Sequence, residues 1–407
     1  MIPFRQKLGN KSLSNLRKDI EELFLEGVRV ATPEYLSIEF WKNQKDLCEE
    51  LSNPRKKNYI FALGKAAYSM ALSFQRSFTV DRGFILTKYN HLPKDISAKG
   101  QMGVWKCREA SHPVPDRNSV LFSKEVMNDL LQLGENDQLI VLLSGGGSSL
   151  FEIPENGFDL NDVIDLNQNL LKRGLNIQEI NAERKKYSAV KAGKLLKKLY
   201  PGLKVYTFAI SDVLGDDPNV IASAPSYPGS EYYIMGNLAS SLKAIENMAK
   251  SFGYEVKTIS DSWELSSEAT AEQIIEYMLA CDENPNKQTI LIGGELVCPV
   301  QGLGLGGRNQ EAALRVAILS ESIALNRDWL FLSCGTDGTD GPTDAAGGIV
   351  GPGCIRKMKE KGWDPIKELN HSNSYPILKD VDALLFTGAT GTNVNDVLIL
   401  LLTERYP

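Results

Sequence analysis

Short apolar runs and helical stretches alternate along most of the chain. The runs include residues 59–63, 138–143, 203–210 and 329–332, and each is followed by glycine and polar residues. Apolar runs of this length between helical stretches are typical of an α/β fold with a mostly parallel sheet. Ligands of open α/β sheets bind beyond the carboxyl ends of the strands. The pattern therefore predicts a site built from strand-end loops.

The helical stretches complete this prediction. Apolar spacing indicates helices over residues 14–51 (two helices), then at about 159–200, 238–253, 264–282 and 312–320. After a last strand at 383–386, Asn395 and Asp396 are expected to cap a final helix that runs to Leu402.

Three carboxylates follow the apolar run at 329–332. Asp337, Asp340 and Asp344 lie in a loop that also contains five glycines. Carboxylates at short spacing can bind Mg²⁺ or act as general bases. Because Asp and Gly are also the residues of ordinary solvated turns, a purely structural role for this loop stays open.

Two further strand ends offer groups that suit an anion. Lys65 follows the run at 59–63 at a strand-to-helix junction, where backbone N–H groups favour negative charge, although a solvated lysine would also fit there. The run at 138–143 ends in a glycine-rich loop, whose residues are Ser144, Gly145, Gly146, Gly147, Ser148 and Ser149. Consecutive glycines leave N–H groups that can form an anion nest, so this loop is expected to cradle a phosphate.

The remaining strand ends carry polar side chains of the same kind. Asp212 follows the run at 203–210, and Glu295 follows an apolar run at 289–292. Arg308 and Asn309 precede a helix, where a guanidinium can clamp a carboxylate or a phosphate. The strand at 383–386 is followed by a loop of small hydrogen-bonding residues that includes Thr390, Gly391, Thr392 and Asn393.

One motif points to a different chemistry. Gly302 to Gly307 matches the dinucleotide-binding pattern GxGxxG. Such a fingerprint directly follows a central parallel strand, whereas Pro299 suits an edge strand or a hairpin. A nicotinamide site also needs an acidic residue roughly 20 positions later, at the end of the next strand. The nearest strand-end acid, Asp337, is about thirty positions away and belongs to the Asp-rich loop.

Size and charge narrow the class of protein. A chain of 407 residues predicts two domains, and the polar, proline-containing stretch 282–287 suggests a boundary between residues 284 and 285. The net charge of −6 argues against a nucleic-acid binder. The N-terminal region lacks the apolar core of a signal peptide, and no apolar stretch is long enough to span a membrane, so a soluble cytoplasmic protein is expected. Six scattered cysteines without a CxxC pair indicate neither a disulfide framework nor a zinc site.

Taken together, the strand ends suit phosphoryl transfer, which needs cations, metal-binding carboxylates and positioning more than covalent chemistry. The motifs also resemble those of the class II glycerate kinases. They occur in order along almost the whole chain, at residues 64–67, 112–116, 144–148, 211–218, 293–295, 307–311, 335–344 and 390–393.

The resemblance implies a fold, an activity and roles for several residues. It implies a Rossmann-like, mostly parallel N-terminal domain (1–284) and a C-terminal α/β MOFRL domain (285–407). It also implies ATP- and Mg²⁺-dependent phosphorylation of D-glycerate to 2-phosphoglycerate in a cleft between the domains. On this hypothesis Lys65 and Arg308 hold the transferring phosphoryl group and the substrate carboxylate. Asp212 and Asp337 are candidates for binding the metal or accepting the hydroxyl proton.

Three alternatives remain. Lys186-Tyr187 stands where the family usually has His-Leu, which leaves a related hydroxy acid open as substrate. The pattern at 302–307 would suit an NAD(P)H-dependent hydroxypyruvate reductase. A two-lobed sugar-acid binding protein would leave the many strand-end carboxylates unexplained. The sequence is compatible with a homodimer and leaves the oligomeric state open.

Overall fold

The computed structural model describes residues 2–172 and 183–406. Contacts divide the chain into two compact units. The parallel-sheet unit comprises Ala31–Asn237 and Gly391–Val394, and the mixed-sheet unit comprises Met1–Val30, Leu238–Thr390 and Asn395–Pro407. This division differs from the boundary expected between residues 284 and 285. The elements between residues 238 and 284 pack with the C-terminal sheet, so they belong to the same unit as that sheet.

The parallel-sheet unit is built on a seven-stranded sheet with the order β3-β4-β2-β1-β5-β6-β7 among the described residues. Every neighbouring pair is parallel except β3 and β4. The strands are β1 (Lys57–Leu63), β2 (Arg82–Lys88), β3 (Gln101–Met102), β4 (Trp105–Ala110), β5 (Asp137–Leu143), β6 (Lys204–Ile210) and β7 (Glu231–Gly236). The central strands are apolar on both faces because helices cover both.

Two helical layers enclose this sheet. The helices are α2 (Pro33–Trp41), α3 (Lys45–Leu51), α4 (Ala67–Ser77), α5 (Lys94–Lys99), α6 (Arg117–Leu130), α7 (Gly147–Leu150) and α8 (Leu160–Lys172). Ile60 and Ala62 of β1 pack into one core with α4, and Phe61 and Leu63 pack into the other with α6. This alternation is what period-2 side-chain geometry dictates for a strand buried on both faces.

The mixed-sheet unit contains a six-stranded sheet with the order β12-β11-β10-β13-β9-β8 among the described residues. Only β8 and β9 run parallel to each other in this order. The strands are β8 (Glu255–Trp263), β9 (Gln288–Gly294), β10 (Trp329–Gly335), β11 (Gly347–Val350), β12 (Leu384–Leu385) and β13 (Asp396–Leu402). The helices are α1 (Ile2–Val30), α9 (Leu238–Ser251), α10 (Ser267–Cys281), α11 (Arg308–Ser320), α12 (Cys354–Glu360), α13 (Pro365–Asn370) and α14 (Ser374–Asp380). None of the helices in the described part of the chain is both long and apolar enough to cross a membrane.

The structure corrects three sequence-based predictions of secondary structure and adds a strand that was not predicted. The stretch 14–51, expected as two helices, contains α2, α3 and part of α1. The segment expected as the final helix is strand β13, which lies between β9 and β10 and is buried along its whole length. The region expected as helix at 159–200 contains helix at 160–172 and at 183–187, but residues 188–200 form turns and a short 3-10 helix, and residues 173–182 lie outside the described residues. Strand β8 was missed because its exposed, polar positions do not form an apolar run.

Candidate active site

The ends of β1, β5 and β6 lie side by side in the parallel-sheet unit. Leu63 of β1 is opposite Leu143 of β5, and Leu143 is opposite Ala209 of β6. The strand order changes direction between β1 and β5, because β2 and β4 lie on one side of β1 and β5 to β7 on the other. Ligands of open α/β sheets bind at such a switch point. Lys65 and the glycine-rich loop both follow strands that end there.

Hydrogen bonds join the Lys65 loop to the glycine-rich loop. The backbone N–H of Lys65 donates to the carbonyl of Gly145 at 2.8 Å. The hydroxyl of Ser144 accepts from the N–H of Ala66 at 3.0 Å and donates to the carbonyl of Leu63 at 3.3 Å. Ser144 is fully buried, so the structure places its hydroxyl between the two loops. This is a different role from the phosphate contact that the sequence suggested.

Asp212 and Asn393 approach the glycine-rich loop at Gly145. The side-chain amide of Asn393 donates to Asp212 Oδ2 at 3.1 Å. A methyl group on Gly145 would lie 1.9 Å from Asp212 Oδ2 and 2.5 Å from Asn393 Nδ2, so only glycine permits this approach. The structure therefore brings together three predicted residues from three separate segments.

Lys65 and His112 flank the next glycine of the loop. Gly146 has a φ of +83°, in the left-handed region, and a methyl group there would lie 3.0 Å from His112 Cδ2 and 3.5 Å from Lys65 Cγ. Ser149 donates its hydroxyl back to the carbonyl of Gly146 at 3.4 Å. The stem of Lys65 thus lies along the glycine-rich loop, with an imidazole close to the same glycine.

A strained turn supports the far end of the loop. Ala222, Ser223 and Ala224 are consecutive non-glycine residues with positive φ. Residues 192 and 193 hold the turn through backbone N–H bonds to the carbonyls of residues 223 and 224. The hydroxyl oxygens of Ser223 and Ser148 lie 2.6 Å apart, and a methyl on Gly147 would meet Ala222 Cβ at 2.8 Å. Backbone strain of this kind clusters at functional sites.

Close to the glycine-rich loop in sequence lies a buried ion pair. Glu152 and Lys191 are hydrogen-bonded, and their side chains are 1% and 4% exposed. Burial lowers the pKa of Lys191, and the Glu152 carboxylate opposes that shift. Removing one partner of such a pair leaves the other charge buried and uncompensated.

In the mixed-sheet unit, Arg308 lies at the start of α11 and is held by two carboxylates. Its Nε and Nη2 donate to Asp396 at 2.7 and 3.1 Å, and its Nη1 donates to Glu295 at 3.1 Å. Burial acts to lower the pKa of Arg308, but Asp396, Glu295 and Asp340 together raise it, so the guanidinium stays charged. Asp396 was expected to cap a helix and is instead the first residue of β13.

Asp340 caps helix α11 from another part of the chain. Its two carboxylate oxygens accept the backbone N–H groups of Asn309 and Gln310 at 3.2 and 2.8 Å. Gly307 permits this approach, because a methyl there would lie 2.3 Å from the Asp340 carboxyl carbon. Asn309 is itself buried and bonded to Asp340, Asp396 and Ser333. Asp340 and Asn309 therefore build the helix start.

The other two carboxylates of the Asp-rich loop are engaged separately. Asp337 Oδ1 accepts from the backbone and hydroxyl of Thr339, and Asp344 accepts from the Tyr375 hydroxyl at 2.7 Å. Across the described residues, no group of three or more His, Cys, Asp or Glu side chains could hold a metal ion. The structure thus does not assemble Asp337, Asp340 and Asp344 into one metal site.

The segment after β12 divides between the two units. In the mixed-sheet unit, the hydroxyl of Thr390 donates to the carbonyl of Thr336 at 2.7 Å. In the parallel-sheet unit, the buried Thr392 donates to the carbonyl of Ala31 at 2.6 Å. A methyl on Gly391 would lie 2.9 Å from a serine hydroxyl of α4. Of this predicted group, Asn393 reaches the glycine-rich loop through Asp212 and Gly145.

Comparison with known proteins assigns the chain to a family. A model described as a domain of unknown function, DUF4147, matches residues 19–250, and the MOFRL family model matches residues 288–396. A D-glycerate 2-kinase from Thermotoga maritima is 37% identical over 385 residues, which cover 84% of this chain and 90% of that protein. The chain belongs to the class II glycerate kinase family.

Two further relatives add to this picture. The crystal structure of a glycerate kinase from Thermotoga maritima matches with a TM-score of 0.83 and 34% identity, over 96% of this chain and 100% of that one. It confirms the predicted α/β fold of two domains. A putative hydroxypyruvate reductase from Agrobacterium vitis is 32% identical over 84% of this chain and 98% of that protein. That relative is named as a reductase, and a reductase is the kind of enzyme that the pattern at 302–307 would suit.

The glycines of that pattern have a structural use in this member of the family. Methyl groups on Gly302 and Gly304 would both lie within 2.6 Å of the carbonyl of His371, and a methyl on Gly306 would lie 2.2 Å from the Ser374 hydroxyl. The residues 295–307 form no regular strand before α11. The glycines therefore allow close packing against residues 371–374, which accounts for them without a dinucleotide.

In this glycerate kinase family member, Ser223 contacts the glycine-rich loop and Asp396 contacts Arg308, but neither residue was in the predicted set, and neither was the buried pair of Glu152 and Lys191. Ser223 and Asp396 follow no local motif that marks them as site residues, and Glu152 and Lys191 are separated by 39 positions. Lys191 and Glu152 could have been suspected only from the general rule that a buried charge requires a partner.

Proposed function

We propose that the protein is an ATP-dependent kinase that phosphorylates the 2-hydroxyl of D-glycerate to give 2-phosphoglycerate. The observation that carries the proposal is the convergence of Lys65, the glycine-rich loop, Asp212 and Asn393 at the switch point of the parallel sheet. The similarity to a D-glycerate 2-kinase supports the choice of reactants. The glycerate hydroxyl oxygen attacks the γ-phosphorus, the bond to the bridging oxygen breaks, and ADP leaves.

In this proposal the lysine and the loop bind the phosphates. Lys65 neutralises charge on the phosphoryl group, and the glycine-rich loop offers backbone N–H groups to phosphate oxygens. Asp212 accepts the proton of the glycerate hydroxyl or helps to bind the metal. The Asn393 amide, which donates to Asp212 Oδ2, orients that carboxylate.

Arg308 supplies the second cation. A guanidinium binds a carboxylate or a phosphate through paired N–H groups, and Arg308 is charged and about one third exposed. We propose that it acts on the same reactants as Lys65, in a cleft to which both units contribute. Each unit alone supplies only part of the set of groups that phosphoryl transfer needs.

Magnesium fits this set of residues without a cage of three carboxylates. Mg²⁺ keeps several waters and binds through one or two carboxylates together with substrate phosphates. Asp212 suits this role because it lies beside the glycine-rich loop that is proposed to bind the phosphates. Both oxygens of Asp340 accept hydrogen bonds from the start of α11, so Asp340 is assigned to the helix. When bound, the ion would neutralise charge on the β- and γ-phosphates.

The proposal is tested by a two-channel assay of the purified protein. ADP release is followed with ATP, Mg²⁺ and D-glycerate, and NAD(P)H oxidation is followed with hydroxypyruvate. Glycerate-dependent ADP release, with 2-phosphoglycerate identified by ³¹P NMR, is the expected result. Nicotinamide turnover without ADP release would refute the proposal in favour of the reductase.

The role of Lys65 is tested by Lys65→Met, which keeps an unbranched side chain and removes the charge. We expect kcat to fall by roughly two orders of magnitude or more, because electrostatic stabilisation of the transferring group is lost. Lys99→Met is the matched control, since Lys99 is an exposed lysine of the same unit. A folded Lys65→Met enzyme with near-normal turnover would remove Lys65 from the mechanism.

A further inference from the structure

The two carboxylates that hold Arg308 differ in how firmly they are fixed. Asp396 is 1% exposed and begins β13, where its backbone pairs with Gly294 of β9 and Gly335 of β10. Its Oδ2 accepts from Arg308 Nε and from the N–H of Leu296 at 3.1 Å. Its Oδ1 accepts from Arg308 Nη2 and from the Asn309 amide at 2.9 Å. Asp396 is thus a rigid, fully engaged partner.

Glu295 is a much looser partner of the same guanidinium. Its side chain is 51% exposed, and its Oε1 makes a single contact of 3.1 Å with Arg308 Nη1. Exposed single-contact ion pairs contribute little net free energy, because water solvates both charges when they separate. The Nη1 edge of Arg308 is therefore the part that an incoming anion can occupy at low cost.

Because the charge around Arg308 is negative overall, an anionic ligand is expected to compete with Glu295 for the Nη1 edge only when that ligand is well positioned. Asp396 and Glu295 together more than offset the charge of Arg308, so a free anion meets local repulsion. Displacing Glu295 leaves Asp396 hydrogen-bonded to the guanidinium, and a bound phosphate or carboxylate oxygen can then accept from Nη1.

We propose that Asp396 is the positioning residue for Arg308, and that Glu295 occupies the Nη1 edge until an anionic oxygen of glycerate or ATP displaces it. This inference rests on the proposed function. It changes the expected role of Glu295, because a carboxylate that gives way to the ligand weakens binding of that ligand. It also gives Asp396 a role that acts through Arg308 and not by contact with the reactants.

Glu295→Gln tests the displacement. Removing the competing charge should lower KM and Kd for one of the two anionic reactants by about two- to fivefold, as expected for loss of an exposed ion pair, with kcat little changed. Glu268→Gln is the matched control, because Glu268 is an exposed partner of another arginine, Arg315, in the same unit. Unchanged or raised KM and Kd for both reactants in Glu295→Gln would overturn the role of Glu295.

Asp396→Asn and Arg308→Lys test the positioning. If Asp396 acts by fixing the guanidinium fork, both variants should lower kcat by about tenfold or more, since small misplacements at a reacting centre have large effects. Arg308→Lys keeps the charge and loses the fork. It tests whether the fork matters at all, even if Asp396→Asn does not fold. A folded Arg308→Lys enzyme with near wild-type kcat would show that orientation by Asp396 is irrelevant.

Failure of this inference can be told apart from failure of the proposed function. Wild-type protein without glycerate-dependent ADP release would contradict the kinase. In that event the Kd of wild type and Glu295→Gln for ATP and for D-glycerate, measured by titration calorimetry, still decides the inference. Tighter binding by Glu295→Gln supports the displacement, and equal binding refutes it.

Discussion

Replacing Asp340 with Asn should remove a pH-dependent loss of stability. Burial raises the pKa of Asp340 to about 6, and the nearby Asp396 adds to the shift, while the N–H groups of Gln310 and Asn309 and the charge of Arg308 oppose it. The pKa in the folded protein is therefore higher than the ordinary value of 3.8. The protonated carboxyl is favoured by folding, so this contribution to stability is fully present below pH 3.8 and is lost as the pH rises through about 6.

The magnitude follows from the shift. Each pKa unit corresponds to roughly 1.4 kcal/mol, so raising this pKa from 3.8 to about 6 destabilises the folded state by about 3 kcal/mol at pH values well above 6. Part of this loss is already present at about pH 4.5. Between about pH 4.5 and about pH 7.5, the free energy of unfolding of the wild type should fall by about 2 kcal/mol relative to Asp340→Asn.

Urea denaturation, followed by tryptophan fluorescence, measures this difference. Asn keeps the size of the side chain but lacks the second carboxylate oxygen, so the variant should also lose about 1 kcal/mol of capping at every pH. That constant offset does not affect the comparison of slopes. Asp344→Asn is the control, because Asp344 is an exposed carboxylate of the same loop. If wild type and Asp340→Asn change in parallel with pH, the helix N–H groups and Arg308 fully offset the burial of Asp340, and the reasoning is wrong.

Two further substitutions test the parallel-sheet unit. Gly145→Ala should abolish most activity and destabilise the protein by about 1–3 kcal/mol, because its methyl group would lie 1.9 Å from Asp212 Oδ2. Gly134→Ala is the control, since a methyl group there would have no neighbouring atom within 4 Å. An active Gly145→Ala enzyme would contradict the proposed arrangement of the site. Lys191→Met should destabilise by roughly 3–5 kcal/mol in urea denaturation by leaving Glu152 buried without its partner. Adding Glu152→Gln should restore most of that loss, and no restoration would argue against charge as the cause.

Much of the parallel-sheet unit is predictable from the sequence. The runs at 59–63, 138–143 and 203–210 lie within β1, β5 and β6 or extend one residue beyond them, because strands buried on both faces are apolar without interruption. The same rule is ambiguous for a short run on its own. The segment 397–402 is equally apolar, and Asn395 and Asp396 before it resemble a helix cap, so it was expected as a helix. Its place between β9 and β10 comes from pairing with strands that are distant in sequence.

The candidate site likewise contains residues that the sequence predicts and residues whose roles it does not. Lys65, the glycine-rich loop and Asp212 are recognisable because each directly follows an apolar run, and their position in the sheet follows from strand polarity. The hydrogen bonds that Ser144 and Asp340 accept from backbone N–H groups could not be recognised from the sequence. A hydroxyl or a carboxylate in a loop can face a ligand or satisfy a backbone N–H, and the sequence around it is the same in both cases.

The sequence by itself determined the α/β class, the strand-end chemistry and the resemblance to glycerate kinases, because burial on both faces and glycine at close approaches leave local signals. Only the tertiary structure decided which polar groups pair. Arg308 and Asp396 are 88 positions apart, and Asn393 and Asp212 are 181 apart. Their hydrogen bonds depend on strand order, register and burial. Those quantities are set by long-range packing, which no local pattern of residues records.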